Sequence, residues 1–319
     1  MQIVDFTEAH IERAMRLAKQ NYEEERRHVP ALPSADAVPD LTRFAKNGLG
    51  VAAVEGDILL GFLCACEPWD GAFDIPGLRH VHSPMGTNGT VVEDRATIYA
   101  RLYQEAGAKW VRRGAASHGI CLYAHDLKGQ ARFFRYGFGM RTVDAIRGMD
   151  AVDIPPCVGY TFCELAPEDV LEVLPLENML NSSYIESPFF MYREQCGEVD
   201  FMKEYSRFQS IYFVARYKGR TVAFIRAELD GETFVKDTPG YLQCKCIYCL
   251  PEHRGTGTAQ NLLKLLVQKL KAQGFTRLGV DFESFNPSGS GFWLKHFDAY
   301  TYGVVRRVDE RSCHSFFYE

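Results

Sequence analysis

Apolar positions along this chain follow two periods. Short apolar runs broken by turn residues occur at 51–54 and 58–63 around Glu55-Gly56-Asp57, and again at 211–215 and 221–225 around Tyr217-Lys218-Gly219-Arg220. Each predicts a β-hairpin. Elsewhere the spacing is helical. Ile98, Leu102, Ala106 and Trp110 precede Gly114, and Ala259, Leu262, Leu263, Leu266 and Leu270 precede Gly274. These stripes predict two long amphipathic helices packed on a core and ended by glycine. The segment 241–250 alternates like a strand leading into the second helix.

The two sets echo one another in order. A short apolar segment followed by an acidic helix start opens each half (3–6 with Glu8; 160–165 with Glu168 and Asp169), and late strands at 141–150 and 300–309 close it. Three matched features at a spacing of about half the chain indicate an internal duplication. Pro155-Pro156 follows the first late strand and disfavours helix, which places the boundary near residue 155. Each half then reads as α/β around a mixed sheet.

Composition narrows the function. The 319 residues suffice for two cores of ordinary size. A net charge of -5 argues against nucleic acid as a partner. No apolar run is long enough to span a bilayer, and the first residues lack a secretory pattern, so no membrane association and a cytoplasmic location are expected. The ten cysteines are then expected as reduced thiols. Cys244, Cys246 and Cys249 form one tight group, but alternation would put Cys244 and Cys246 on one face and Cys249 on the other. His80, His82, His118 and His125 show no metal-ligand spacing either, and no metal is expected.

The chemistry concentrates at 251–258, between the strand and the helix. Gly255 and Gly257 allow the backbone to approach a ligand, Thr256 and Thr258 add hydroxyls, and Arg254 adds charge at a helix N-terminus where free N–H groups converge. A pyrophosphate suits such a turn. It is neither a phosphate loop, which needs a lysine, nor a dinucleotide fingerprint.

The run Cys249-Leu250-Pro251-Glu252-His253-Arg254-Gly255-Thr256-Gly257-Thr258-Ala259, with Leu262-Leu263, resembles the acyl-CoA signature R/Q-x-x-G-x-G/A of the GNAT (Gcn5-related N-acetyltransferase) superfamily. Arg254, Gly257 and Ala259 take its defining places. Arg277 to Phe282 resembles the next strand, Asn286 the asparagine after it, and 292–297 the short helix that follows.

The resemblance implies two tandem GNAT-like domains, 1–155 and 156–319, each a mixed, mostly antiparallel sheet flanked by helices. It implies acetyl-CoA as co-substrate and transfer of an acetyl or short acyl group to an amine acceptor in the second domain. Backbone groups of Ile247, Tyr248 and Cys249 would hold the pantetheine, and Arg254, Gly255, Thr256, Gly257, Thr258, Ala259 and Gln260 the pyrophosphate. Asn286 would also touch the pantetheine. Where many members carry a tyrosine as general acid this chain has Trp293, leaving Tyr300, Tyr302 or water to protonate the departing thiolate. Glu283 is the first candidate for general base, followed by Asp281 and His253.

The corresponding turn of the first half, 83–92, has glycines but no arginine in register, and Glu93 and Asp94 would repel a pyrophosphate. The first domain is therefore expected to keep the fold, with Phe133-Phe134-Arg135-Tyr136-Gly137-Phe138 as its closing helix and turn, and to have lost the cofactor. Two alternatives remain open: a non-catalytic acyl-CoA sensor or scaffold, and a peptidyl transferase using aminoacyl-tRNA. The aromatic stretch 187–192 is expected to pack, or to line an acceptor pocket. Oligomeric state is not set by the sequence.

Overall fold

A computed structural model describes residues 1–315. The elements in chain order are β1 (Gln2–Asp5), α1 (Ile11–His28), α2 (Thr42–Lys46), β2 (Val51–Glu55), β3 (Ile58–Leu63), β4 (His80–Ser83), β5 (Asn88–Thr90), α3 (Arg95–Arg112), β6 (Ser117–Tyr123), α4 (Leu127–Arg135) and β7 (Gly139–Gly148). They continue with β8 (Tyr160–Glu164), α5 (Leu174–Ser183), α6 (Glu198–Phe208), β9 (Ile211–Tyr217), β10 (Arg220–Glu228), β11 (Tyr241–Cys249), α7 (Thr258–Ala272), β12 (Arg277–Glu283), α8 (Pro287–Trp293), β13 (Asp298–Arg307) and α9 (Glu310–Ser315). Apart from one more strand before α3 than before α7, and α9 at the end, the same strand and helix order runs twice.

The chain forms two compact units, Met1–Asp144 with Ala299–Glu319, and Ala145–Asp298. The last strand therefore belongs with the first unit, where β13 pairs antiparallel with β6 from Thr301↔Tyr123 to Arg307↔Ser117. Linear order gives no sign of this placement.

Unit 1 holds the antiparallel order β1-β2-β3-β5, while β4 runs parallel to β6. The α3 stripe of Ile98, Leu102, Ala106 and Trp110 is buried. It packs in one cluster with Val51, Ala53 and Leu63 of the hairpin and Ile120 and Leu122 of β6. Trp110 is 0% exposed and still satisfies its indole, which donates to Leu49 O at 3.1 Å.

In unit 2, β8, β9, β10 and β11 are joined antiparallel and β12 adds to β11 in parallel. Along α7, Leu262, Leu263, Leu266, Val267 and Leu270 are buried while Gln268 and Lys269 face solvent. That stripe lies against β8 to β11, and Gly274 at φ 90 ends the helix as its position predicts.

Candidate functional site

The turn entering α7 is built from left-handed glycines. Gly255 (φ 75) and Gly257 (φ 88) lie in a region that side-chain-bearing residues rarely adopt, and Gly257 is the N-cap. The helix begins its bonding with Asn261 N to Gly257 O at 3.0 Å. Helix geometry thus leaves the N–H groups of Thr258, Ala259 and Gln260 to partners outside the helix. Arg254 is exposed, donates from Nε to Cys249 O at 3.0 Å, and stands 5.7 Å from the Tyr248 ring. Thr256 bonds His253 O (2.8 Å) and the Thr258 hydroxyl (2.7 Å), the latter on a residue only 1% exposed. Thr258 is thus a structural post of the turn, with Thr256 the solvent-facing hydroxyl.

Upstream of the turn the strands part. β11 and β12 pair from Tyr241↔Arg277 to Cys244↔Val280, yet β11 runs on to Cys249 and β12 to Glu283. Along the same stretch β11 stays paired with β10 as far as Cys249↔Ala223. The register with β10 slips between Cys244↔Ala227 and Cys246↔Arg226, so Lys245 is the extra residue of a β-bulge. A bulge bends its strand, and this one stands where β11 leaves β12.

The bulge also corrects the cysteine pattern. Ala227 and Arg226 are consecutive residues of β10 and point to opposite faces, and paired residues share a face. Cys244 and Cys246 therefore face opposite sides, with Cys249 on the side of Cys244. Burial pushes the Cys246 thiol up to about 12 and that of Cys249 up to about 11, although Arg254 pulls the latter down. Both are protonated near neutral pH and make poor nucleophiles.

On the α5 side of the sheet the polar side chains form a network. Arg226 Nη1 donates to Glu177 Oε1 (3.1 Å) and to Tyr212 OH (3.2 Å), and Gln243 donates to Asp281 Oδ1 at 2.7 Å. Burial raises the Glu228 carboxyl against the pull of Arg226 and Lys245. At the open end of β12, Glu283 has an 11% exposed side chain and lies 3.6 Å from Arg193.

Asn286 lies just past this end as N-cap of α8, accepting from Gly289 N at 2.8 Å. That helix begins at Pro287 and ends at Trp293, earlier than the expected 292–297. Asparagine followed by proline at the first helical position is a start signal that the sequence did contain. Trp293 is 4% exposed. His253 is engaged by the Tyr160 hydroxyl at 2.7 Å. Tyr300 lies in β13 of unit 1 and is 2% exposed, and Tyr302 follows it there. The glycine turn, the cysteine end of β11, Glu283 and Asn286 all belong to unit 2; Tyr300 does not.

Unit 1 fills the matching positions with its own side chains. Asp126 caps α4 from Gly129 N (3.0 Å) as Asn286 caps α8. Tyr123-x-x-Asp126-x-x-Gly129 thus matches Glu283-x-x-Asn286-x-x-Gly289 in spacing, a further echo between the two halves. Arg95, the first residue of α3, pairs with Glu24 (2.8 Å) and Asp126 (3.4 Å). Buried Asn88 donates to Cys121 O (3.0 Å) and Ser83 Oγ (3.2 Å), tying β5 to β6. Asn21 clasps Thr90 by both N and O at 3.0 Å. His80 pairs with Ser117 Oγ and His118 with Tyr103 OH, and burial lowers His118 to about 4. Among the described residues no three His, Cys, Asp or Glu are placed to hold a metal, and no helix is long and apolar enough to cross a membrane. The ten cysteines are free.

Residues 176–297 match the model of the acetyltransferase (GNAT) family. No curated protein sequence matches the chain. Among solved structures, a GCN5-related N-acetyltransferase from Sphaerobacter thermophilus is similar at TM-score 0.58 and 12% identity, over 96% of this chain and 95% of that one. A GCN5-related glucosamine N-acetyltransferase region of a fungal multi-domain β-N-acetylglucosaminidase is similar at TM-score 0.53 and 12% identity, over 95% of this chain and 38% of that one. Residues 176–297 thus match a domain of the acetyltransferase (GNAT) family, and the chain shares this fold along nearly its whole length.

Proposed function

We propose that the second half of the chain carries the active site and moves an acetyl or other short acyl group from acyl-CoA directly to an amine. The observation that carries this reading is the parting of β11 from β12 at the Lys245 bulge, with the Gly255–Gly257 turn beyond the end of β11. Strand backbone at Ile247, Tyr248 and Cys249, paired with β10 but no longer with β12, suits the amides of a pantetheine arm. The turn residues Arg254, Gly255, Thr256, Gly257, Thr258, Ala259 and Gln260 suit its pyrophosphate, with the charge of Arg254 and the helix dipole acting together. Asn286, whose Oδ1 is occupied by its own helix cap, offers its amide NH2 to the same arm.

In the transfer itself Glu283 takes a proton from the acceptor ammonium, and the amine attacks the thioester carbon. The C–S bond breaks as the amide bond forms, and the attacking nitrogen gives up its second proton to water. The N–H of Cys249 would face the developing oxyanion, since that of Leu250 is given to Val222 O. The leaving thiolate, the conjugate base of an alkyl thiol with a pKa of about 8.5 by analogy with cysteine, needs little acid. Tyr300, expected from sequence to protonate it, lies buried in unit 1, and water takes that role. Protonated Cys246 and Cys249 favour direct transfer over an acyl-cysteine intermediate.

We further propose that 1–155 and 156–319 are the duplicated copies and that the first has lost its cofactor. Arg95, Asp126 and Asn88 of the first copy already serve internal partners where the second copy would meet acyl-CoA. Calorimetric titration of acetyl-CoA should therefore give one equivalent per chain. Two equivalents would contradict the loss in the first copy, and none would contradict the donor assignment. Buried Trp293 at the usual acid position favours a second reading, an acyl-CoA sensor, which would bind the ligand yet release no CoA with any amine.

A further inference from the structure

The acceptor is the open part of the proposed function, and its identification here rests on that reading. Arg193 Nη2 lies 3.6 Å from Glu283 Oε1, an ion pair longer than a hydrogen bond, with the arginine side chain 43% exposed. The Arg193 guanidinium stands 4.6 Å over the Tyr184 ring. Phe189 packs on Tyr184 at 5.0 Å and on Phe285 at 6.2 Å. Burial, with the nearby Cys246, Glu283 and Asp281 adding to it and Arg193 opposing it, pushes the Tyr184 phenol up to about 12.

The segment bearing Arg193 is fastened to α5. Asn178 donates to Cys196 O (3.0 Å) and accepts from Cys196 N (2.8 Å), Asn181 donates to Glu194 O (3.1 Å), and Met191 N donates to Tyr184 O (2.7 Å). The guanidinium is thus held at the open end of β12 by backbone latches on both sides of it. Asp281, the next carboxylate on that face, is already held by Gln243.

We propose that the acceptor is an α-amino acid with an apolar or aromatic side chain. A polycationic acceptor would meet the charge of Arg193 at the mouth of the site. An amine bearing its own carboxylate complements both groups at once. Its carboxylate takes the place of Glu283 on the planar fork of Arg193, which suits bidentate binding. The displaced Glu283 then receives the ammonium proton, and the side chain rests against Tyr184, Phe189 and Phe285. Arg193 is in this account a binding and specificity residue, while proton transfer stays with Glu283.

The test compares amino acids with their decarboxylated amines: phenylalanine with phenethylamine, leucine with isoamylamine, and methionine with its amine. Release of CoA is followed in the wild type, Arg193→Ala and Arg193→Lys, and each protein is separately titrated with acetyl-CoA. Wild type should favour the amino acids in kcat/KM by roughly 10- to 100-fold, the range for a lost charge-assisted hydrogen bond. Arg193→Ala should erase that preference through KM and keep its acetyl-CoA affinity, and Arg193→Lys should restore part of it. Equal or better use of the decarboxylated amines, a preference that survives in Arg193→Ala, or acetyl-CoA binding without turnover of any amino acid would overturn the proposal. Failure of wild type to bind acetyl-CoA would instead remove the donor reading beneath it.

Discussion

Gly257→Glu should abolish measurable acetyl-CoA binding, a loss of at least about 100-fold, while the circular dichroism spectrum and the melting transition of the folded chain are retained. Two effects combine. A side chain at φ 88 is strained, which costs about 1–2 kcal/mol and shifts the backbone that presents the N–H groups. The carboxylate adds a like charge where the pyrophosphate sits, against the positive end of α7. Steric crowding contributes little, because a Cβ at this position would meet only Asn261 Nδ2, at 3.8 Å. Gly257→Ala therefore separates strain from charge and should weaken binding by roughly tenfold. Equal binding by wild type and Gly257→Glu would make the turn a mere connection between strand and helix.

Glu283→Gln should lower kcat by about 100- to 10,000-fold with an amine acceptor at neutral pH, the range for loss of a general base. Acetyl-CoA affinity should stay within about twofold, since the substitution keeps the shape of the side chain and the proposed donor contacts are made by β11, the turn into α7 and Asn286 rather than by Glu283. Steady-state release of CoA, alongside a binding titration of the same variant, checks both halves of this expectation. An unchanged kcat would move base catalysis to another group, with Asp281 next in line although Gln243 already engages it at 2.7 Å. Loss of acetyl-CoA binding would assign Glu283 to the donor site.

Much of this molecule is local in origin and so could be read from the chain. Both hairpins form where the apolar runs and turn residues placed them, because turn chemistry and register are set by adjacent residues. The α7 stripe is buried as its spacing requires, and the left-handed glycines occur where a tight turn demanded them.

What escaped the sequence is what local pattern does not encode. Lys245 bulges without a glycine to mark it, and one extra residue is enough to reverse the facing of Cys246 relative to a strict alternation. Arg193 and Tyr184 meet Glu283 only through the packing of α5 and its following segment on the sheet. The companionship of β13 with β6 in unit 1 depends on tertiary pairing between residues remote in sequence, and it removes Tyr300 from the unit that holds the glycine turn. By contrast, the repeat of Tyr123-x-x-Asp126-x-x-Gly129 in Glu283-x-x-Asn286-x-x-Gly289 was present to be found. It sets a carboxylate in the first half where the second has an amide.

Amide hydrogen exchange of the full chain with and without acetyl-CoA tests the central claim most directly, because it reports where the ligand sits rather than only whether it binds. Slower exchange in 247–249 and 254–260, with 84–97 unchanged, is the predicted result. Protection centred on 84–97, or no protection in either segment at saturating ligand, would contradict the assignment of the acyl-CoA site to the second half of the chain.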